Sequence, residues 1–197
     1  MTNKKLWSTM LSLVATVIVL FALGGITVFA DGPDAPTIVA SGYCGAEGNG
    51  ENVSWALDSN GLLTISGTGK MKNCSEYNPW EEQKNTIQEV DMSEGVTSIG
   101  SAAFSGCNSL AWVTIPDSVT TIGESAFMGC TSLTDIPSSW NGKRESPDYV
   151  SLFEGCTSLT GIPTAQSAWS AFGHGNIERM FANCTKYLCR RLPTNRL

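Results

Sequence analysis

"AFSGCNSL" occupies residues 103–110 and "AFMGCTSL" residues 126–133, displaced by 23 at every position. The same wording returns as "LFEGCTSL" at 152–159 and "MFANCTKY" at 180–187. Extending the first pair backwards aligns "VTSIGSAAFSGCNSL" (96–110) with "VTTIGESAFMGCTSL" (119–133), identical at ten of fifteen positions. Two explanations compete. Either the cysteines are ligands or disulfide partners, or each copy is one coil of a stacked structure.

The period decides for stacking. A repeat of 23 residues lies in the range of leucine-rich repeats and below that of helical-pair repeats. One full coil reads "LAWVTIPDSVTTIGESAFMGCTS", residues 110–132. Its apolar letters are Leu110, Val113, Ile115, Val119, Ile122 and Phe127. "VTI" is β-branched and alternating, which predicts a strand. Pro116 ends pairing, and Gly123 and Gly129 supply bends for an arc that folds back. A lone coil buries too little apolar surface to offset the ordering of its backbone, so neighbouring coils must complete it. The expected architecture is a β-rich solenoid of about four coils: 87–109, 110–132, 133–158 and 159–186. In the later coils "SSWNGKRESPDY" and "TAQSAWSAFGHGN" replace the regular text and predict loops bulging from the stack.

Stacking explains the cysteines. Cys107, Cys130, Cys156 and Cys184 occupy one equivalent position per coil, as do Phe104, Phe127, Phe153 and Phe181. Both series are expected as structural columns, with the thiols acting as small hydrophobes. A metal would need ligands converging on one point, not spread along an axis, so no metal is expected. Cys44 and Cys74 lie outside the repeat and are candidates for a disulfide. The seventh cysteine, Cys189, stands in a tail of different composition, "KYLCRRLPTNRL".

Residues 41–86 have another character. "VSWALDSNGLLTISG" alternates Val53, Trp55 and Leu57, turns at Asn60-Gly61, and resumes with Leu63 and Ile65, the pattern of a hairpin. "NPWEEQKN" predicts a short helix, with Asn78 as cap, Pro79 at its first position, and Glu81 and Glu82 at its positive end. The unit is expected to cap the open end of the stack.

The first thirty residues carry Lys4 and Lys5, an apolar run from Leu6 to Phe29, and small residues Val28 and Ala30 before Asp31. These are the marks of a secretory signal peptide; the alternative is an uncleaved anchor. The expected organisation is a signal at 1–30, a linker at 31–40 and a β-rich capping module at 41–86. A leucine-rich repeat solenoid follows at 87–186, and an atypical basic tail at 187–197. Removing Lys4 and Lys5 takes the formal net charge from −6 to −8. Such a balance disfavours nucleic acid, whose affinity comes from neutralised phosphates.

"GYCG", "VSWALDSNGLLTISGTGKM", "NPW" and the I-G-x-x-A-F-x-G-C-x-S-L coil together resemble the BspA-like leucine-rich repeat surface proteins of bacteria. The likeness is close over residues 41–136 and looser beyond. It implies an exported or cell-surface protein that binds other proteins, without naming the ligand. Such proteins carry many more coils and often a wall-attachment region. The abrupt stop after "MFANCT" therefore also raises a truncated or frameshifted remnant of a longer surface protein.

For chemistry the sequence offers little. His174, the single histidine, sits in "FGHGN" with no marked nucleophile beside it. A secreted hydrolase using these late loops is the rival reading. No phosphate-binding glycine loop follows a strand, and no cofactor is expected.

A binding surface is better supported. Residues between the apolar anchors of each strand must point outward. They form the rows Gln88, Ala111, Thr134, Thr160; then Glu89, Trp112, Asp135, Gly161; then Asp91, Thr114, Pro137, Pro163. Trp112 flanked by Glu89 and Asp135, with Asp91 diagonal to it, is a candidate anchor for a basic extracellular protein partner. The bulged loops offer a second surface through Trp140, Tyr149 and Trp169.

Overall fold

The structure is a computed structural model that describes residues 35–136, 151–160 and 180–185. The chain divides into two compact units, Met1–Thr37 and Ile38–Leu197, and the elements below belong to the second.

Three antiparallel strands come first: β1 (Ile38–Tyr43), β2 (Val53–Asp58) and β3 (Leu62–Gly67). The alternation Val53, Trp55, Leu57 and Leu63, Ile65 buries one face of β2 and β3, as a period of two requires. Trp55 pairs with Ile65 and Leu57 with Leu63. The turn between them is drawn tight by Asp58, whose carboxylate accepts from the N–H groups of Asn60 and Leu62, both at 2.9 Å. Gly61 completes it at φ +85°, and a Cβ there would sit 2.6 Å from the carbonyl of Thr86. β1 begins inside the stretch expected to be linker through residue 40. "IVA" at 38–40 has strand propensity and finds a partner in β2.

The sheet then changes sense. β5 (Glu89–Met92) pairs parallel with β3, and β7 (Trp112–Thr114) parallel with β5, giving the order β1-β2-β3-β5-β7. A second sheet, not anticipated from sequence, joins β4 (Gly69–Lys70), β6 (Val96–Ile99) and β8 (Thr121–Ile122) in parallel. Successive coils thus pair along three stripes of backbone: at the strand, at the second sheet, and between turns, where Ala102, Phe104 and Gly106 donate to Glu124, Ala126 and Met128 of the next coil. Beyond β7 the strand stripe continues as Thr134 N–H to Ala111 O and Thr160 N–H to Thr134 O. The turns continue alongside it, with Phe127 N–H to Leu152 O, Gly129 to Glu154 O, Phe153 to Met180 O and Gly155 to Ala182 O. These regular pairings make a β-rich leucine-rich repeat fold.

"NPWEEQKN" forms no helix. Residues 79–86 are consecutive turns closed by bonds to the third residue back, such as Gln83 N–H to Trp80 O at 3.0 Å. Asn78 caps as expected, accepting from Trp80 N–H at 3.1 Å. The same chemistry that starts a helix starts this arc, and contact with the next coil keeps it tighter than an α-helix. Asn78 also donates to Ala103 O in that coil.

The arc at 79–86 is the counterpart of those at 101–106, 124–129 and 151–155. Trp80 therefore heads the aromatic column. It stacks on Phe104 at 5.5 Å, followed by Phe104–Phe127 at 5.3 Å, Phe127–Phe153 at 5.6 Å and Phe153–Phe181 at 5.6 Å. Trp55 meets Trp80 edge-on at 5.8 Å, so the hairpin unit and the stack share one core. Trp80 Nε1 donates to Ala103 O at 2.9 Å, satisfying the one polar atom its burial would otherwise strand.

Glycine works in two ways along the coils. Gly106, Gly129 and Gly155 lie near φ +73°, and a Cβ would meet nothing at Gly106 and only ordinary van der Waals contact, 3.7–3.8 Å, at the other two, so they are selected by conformation; Asn183 takes the same place at φ 62°. Gly123 has an ordinary φ, but a Cβ there would lie 2.3 Å from Ser101 N in the preceding coil. It is selected by the closeness of the stack.

Candidate functional site

Three of the four repeat cysteines bond the coil before their own, and the fourth, Cys107, is buried in the same column. Cys130 Sγ donates to Phe104 O, Cys156 to Phe127 O and Cys184 to Phe153 O, each at 3.1 Å. Each of these three thiols thus bonds the phenylalanine carbonyl of the coil before its own. Burial pushes the Cys107 and Cys156 thiols up to about 12 and raises Cys130 well above the ordinary range. They are protonated, inaccessible and poor nucleophiles. Among the described residues no group of three or more His, Cys, Asp or Glu could hold a metal ion.

Chemistry directed at solvent is found on the outer face of the five-stranded sheet. In β5 and β7 the burial alternates, with Val90, Met92 and Val113 inside and Glu89, Asp91, Trp112 and Thr114 outside. Register sets Glu89 beside Trp112 and Asp91 beside Thr114. Neighbouring strands lie about 4.8 Å apart, so an acid and the indole share one local surface. Trp112 is 47% exposed, and its core-facing neighbours are already packed without it. Asp135, half-buried, stands at the equivalent position of the next coil.

The hairpin extends this face beyond what the repeat indicates. Leu62 pairs with Glu89 and Thr64 with Asp91. Ile38 pairs with Asp58 at the far side, and Tyr43 with Ser54. The row through Trp112 therefore runs Trp112, Glu89, Leu62, with Asp58 and Ile38 past the turn. The outward alternation of 53–67 carried this signal, but no local feature shows that β3 pairs with β5. On the outward positions of these five strands stand Asp58, Glu89 and Asp91 and no Lys, Arg or His. The described lysines, Lys70, Lys72 and Lys84, lie off this sheet.

Trp140, Tyr149, Trp169 and His174 lie outside the described residues, as do Gly161, Pro137 and Pro163. Among the described residues no helix is long and apolar enough to cross a membrane.

The family model described as BspA type leucine rich repeat region matches residues 82–188 in six copies. The chain belongs to this family. Its similarity to solved structures is lower. A leucine-rich repeat protein from Eubacterium ventriosum is 24% identical with a TM-score of 0.42, over 63% of this chain and 40% of that one. One from Bacteroides ovatus is 24% identical with a TM-score of 0.41, over 61% and 35%. A leucine rich cell surface protein from Faecalibacterium prausnitzii is 22% identical with a TM-score of 0.37, over 59% and 42%. The chain spans less than half the length of each of these three. No curated protein matches it.

Proposed function

We propose that this BspA-type repeat protein is an exported or cell-surface module that binds another protein through the outer face of its five-stranded sheet. In this reading about four coils stand behind the hairpin unit, which caps them, and residues 1–30 direct export. The observation that carries it is the register of Glu89 against the exposed Trp112. An indole standing clear of a packed core contributes little to folding, and large aromatic side chains are the commonest anchors of protein interfaces. Asp91, Glu89 and Asp135 around it favour a partner whose contacting segment is basic, chiefly through association rate and orientation.

Immobilised full-length chain exposed to extracellular-matrix and cell-surface proteins, with and without Trp112→Ala, tests this. The expected result is at least one partner whose affinity falls about tenfold or more in the variant, with an unchanged circular dichroism spectrum. Equal capture of every partner by both proteins removes the face from consideration. His174→Ala is expected to leave binding unaltered.

A further inference from the structure

Four of the six described cysteines are accounted for by their repeat position, and the remaining two stand as free thiols on neighbouring segments outside it. Cys44 follows β1 directly, and Cys74 lies between β4 and the first arc. The two segments run antiparallel, bridged at Gly45 and Met71. Lys72 N–H donates to Cys44 O at 2.9 Å, and Cys74 Sγ lies 3.6 Å from Lys72 O. Both cysteines thus bond the backbone of the one residue, Lys72, Cys44 through its N–H and Cys74 through its carbonyl. Both thiols are buried and both belong to the one core. Neither takes part in the chain of thiol bonds to the phenylalanine carbonyls.

We infer that Cys44 and Cys74 form an intramolecular disulfide that locks the end of β1 to the segment leading into the first arc of the stack. The reaction is an exchange with an external organic disulfide. One thiolate attacks the donor and releases one donor thiol. The second thiolate then displaces the other, so two cysteines lose two protons and two electrons, and the donor S–S bond becomes two thiols. Burial holds the Cys44 thiol up to about 12 and the Cys74 thiol up to about 11, so the folded, reduced protein reacts slowly. The bond forms before the hairpin closes over the pair, and is then shielded from reductant. Its loop encloses β2, β3 and β4, so closing it restricts the unfolded chain considerably. This inference is independent of the binding face.

Full-length protein refolded from urea with oxidised glutathione, then alkylated and digested, tests it. The expected product is one peptide pair joining Cys44 to Cys74, lighter by two hydrogens. Its thermal midpoint should lie on the order of 10 °C above that of the reduced protein. Cys44→Ser with Cys74→Ser should match the reduced wild type and show no response to glutathione. If natively folded, oxidised protein yields Cys44 and Cys74 separately alkylated, or joined to other cysteines, the inference fails. Since that assignment is made on wild-type protein, it stands even if the serine variants do not fold.

Discussion

The interior and the outer face of these coils obey opposite rules. Inside, the letters hardly change: Phe104, Phe127, Phe153 and Phe181, with Cys107, Cys130, Cys156 and Cys184 three residues on. Outside, the equivalent positions change from coil to coil, Gln88 to Ala111 to Thr134 to Thr160, and Glu89 to Trp112 to Asp135. Interior side chains must fit copies of themselves one coil away, at ring separations of 5.3–5.6 Å. Outward side chains need fit no copy of themselves; Gln88, Thr134 and Thr160 reach the neighbouring turn by donating to its backbone carbonyls. Repetition is therefore the record of stacking, and variation marks where recognition is free to evolve.

That contrast is easiest to break at the centre of the column. Phe127→Ala should cost about 3–5 kcal/mol, because the cavity opens against both Phe104 and Phe153. Urea denaturation would show the loss, and a cost under about 1 kcal/mol would mean the rings are not mutually supporting. The two glycine classes sharpen the picture next. Gly123→Ala forces a shift of the neighbouring coil and should destabilise by several kcal/mol. Gly129→Ala meets only ordinary contact with Gly106 at 3.8 Å and loses mainly through its backbone conformation, about 1–2 kcal/mol. The reverse order of thermal midpoints would contradict the closeness of the stack.

The thiol column adds a pH dependence of definite sign. Its folded pKa values lie above those of free cysteine, so the folded state retains protons that the unfolded chain releases. The stabilisation is complete below about pH 8.5 and is lost as pH rises towards 12. Urea midpoints measured at pH 8 and pH 10 should therefore fall, and should fall less in Cys156→Ala. The smallest stability effect belongs to the outside: Trp112→Ala should change the urea midpoint by no more than about 0.5 kcal/mol equivalent. A large loss there would make Trp112 a packing residue and remove the anchor from the proposed face.

The error over "NPWEEQKN" shows where local reading stops. Asn78 and Pro79 are proper signals for starting a turn of helix, and the polar run after Trp80 agrees with them. What they cannot report is that Trp80 must lie on Phe104, which holds the segment as an arc. The offset from Trp80 to Phe104 is 24 rather than 23, and the segment lacks the G-C pair, so the repeat is disguised. The second sheet escaped for a related reason. β4 and β8 are two residues each, too short for alternation to register, and exist only because neighbouring coils supply their partners.

By itself the sequence determined that the chain stacks, which letters lie inside, and where the hairpin turns, because those facts follow from period and from local backbone chemistry. Tertiary structure decided that β3 pairs with β5, joining the hairpin's outer surface to that of the coils, and that Cys74 comes to rest beside Cys44. Such pairings are set by which distant segments share hydrogen bonds and a core, and no spacing along the chain encodes them.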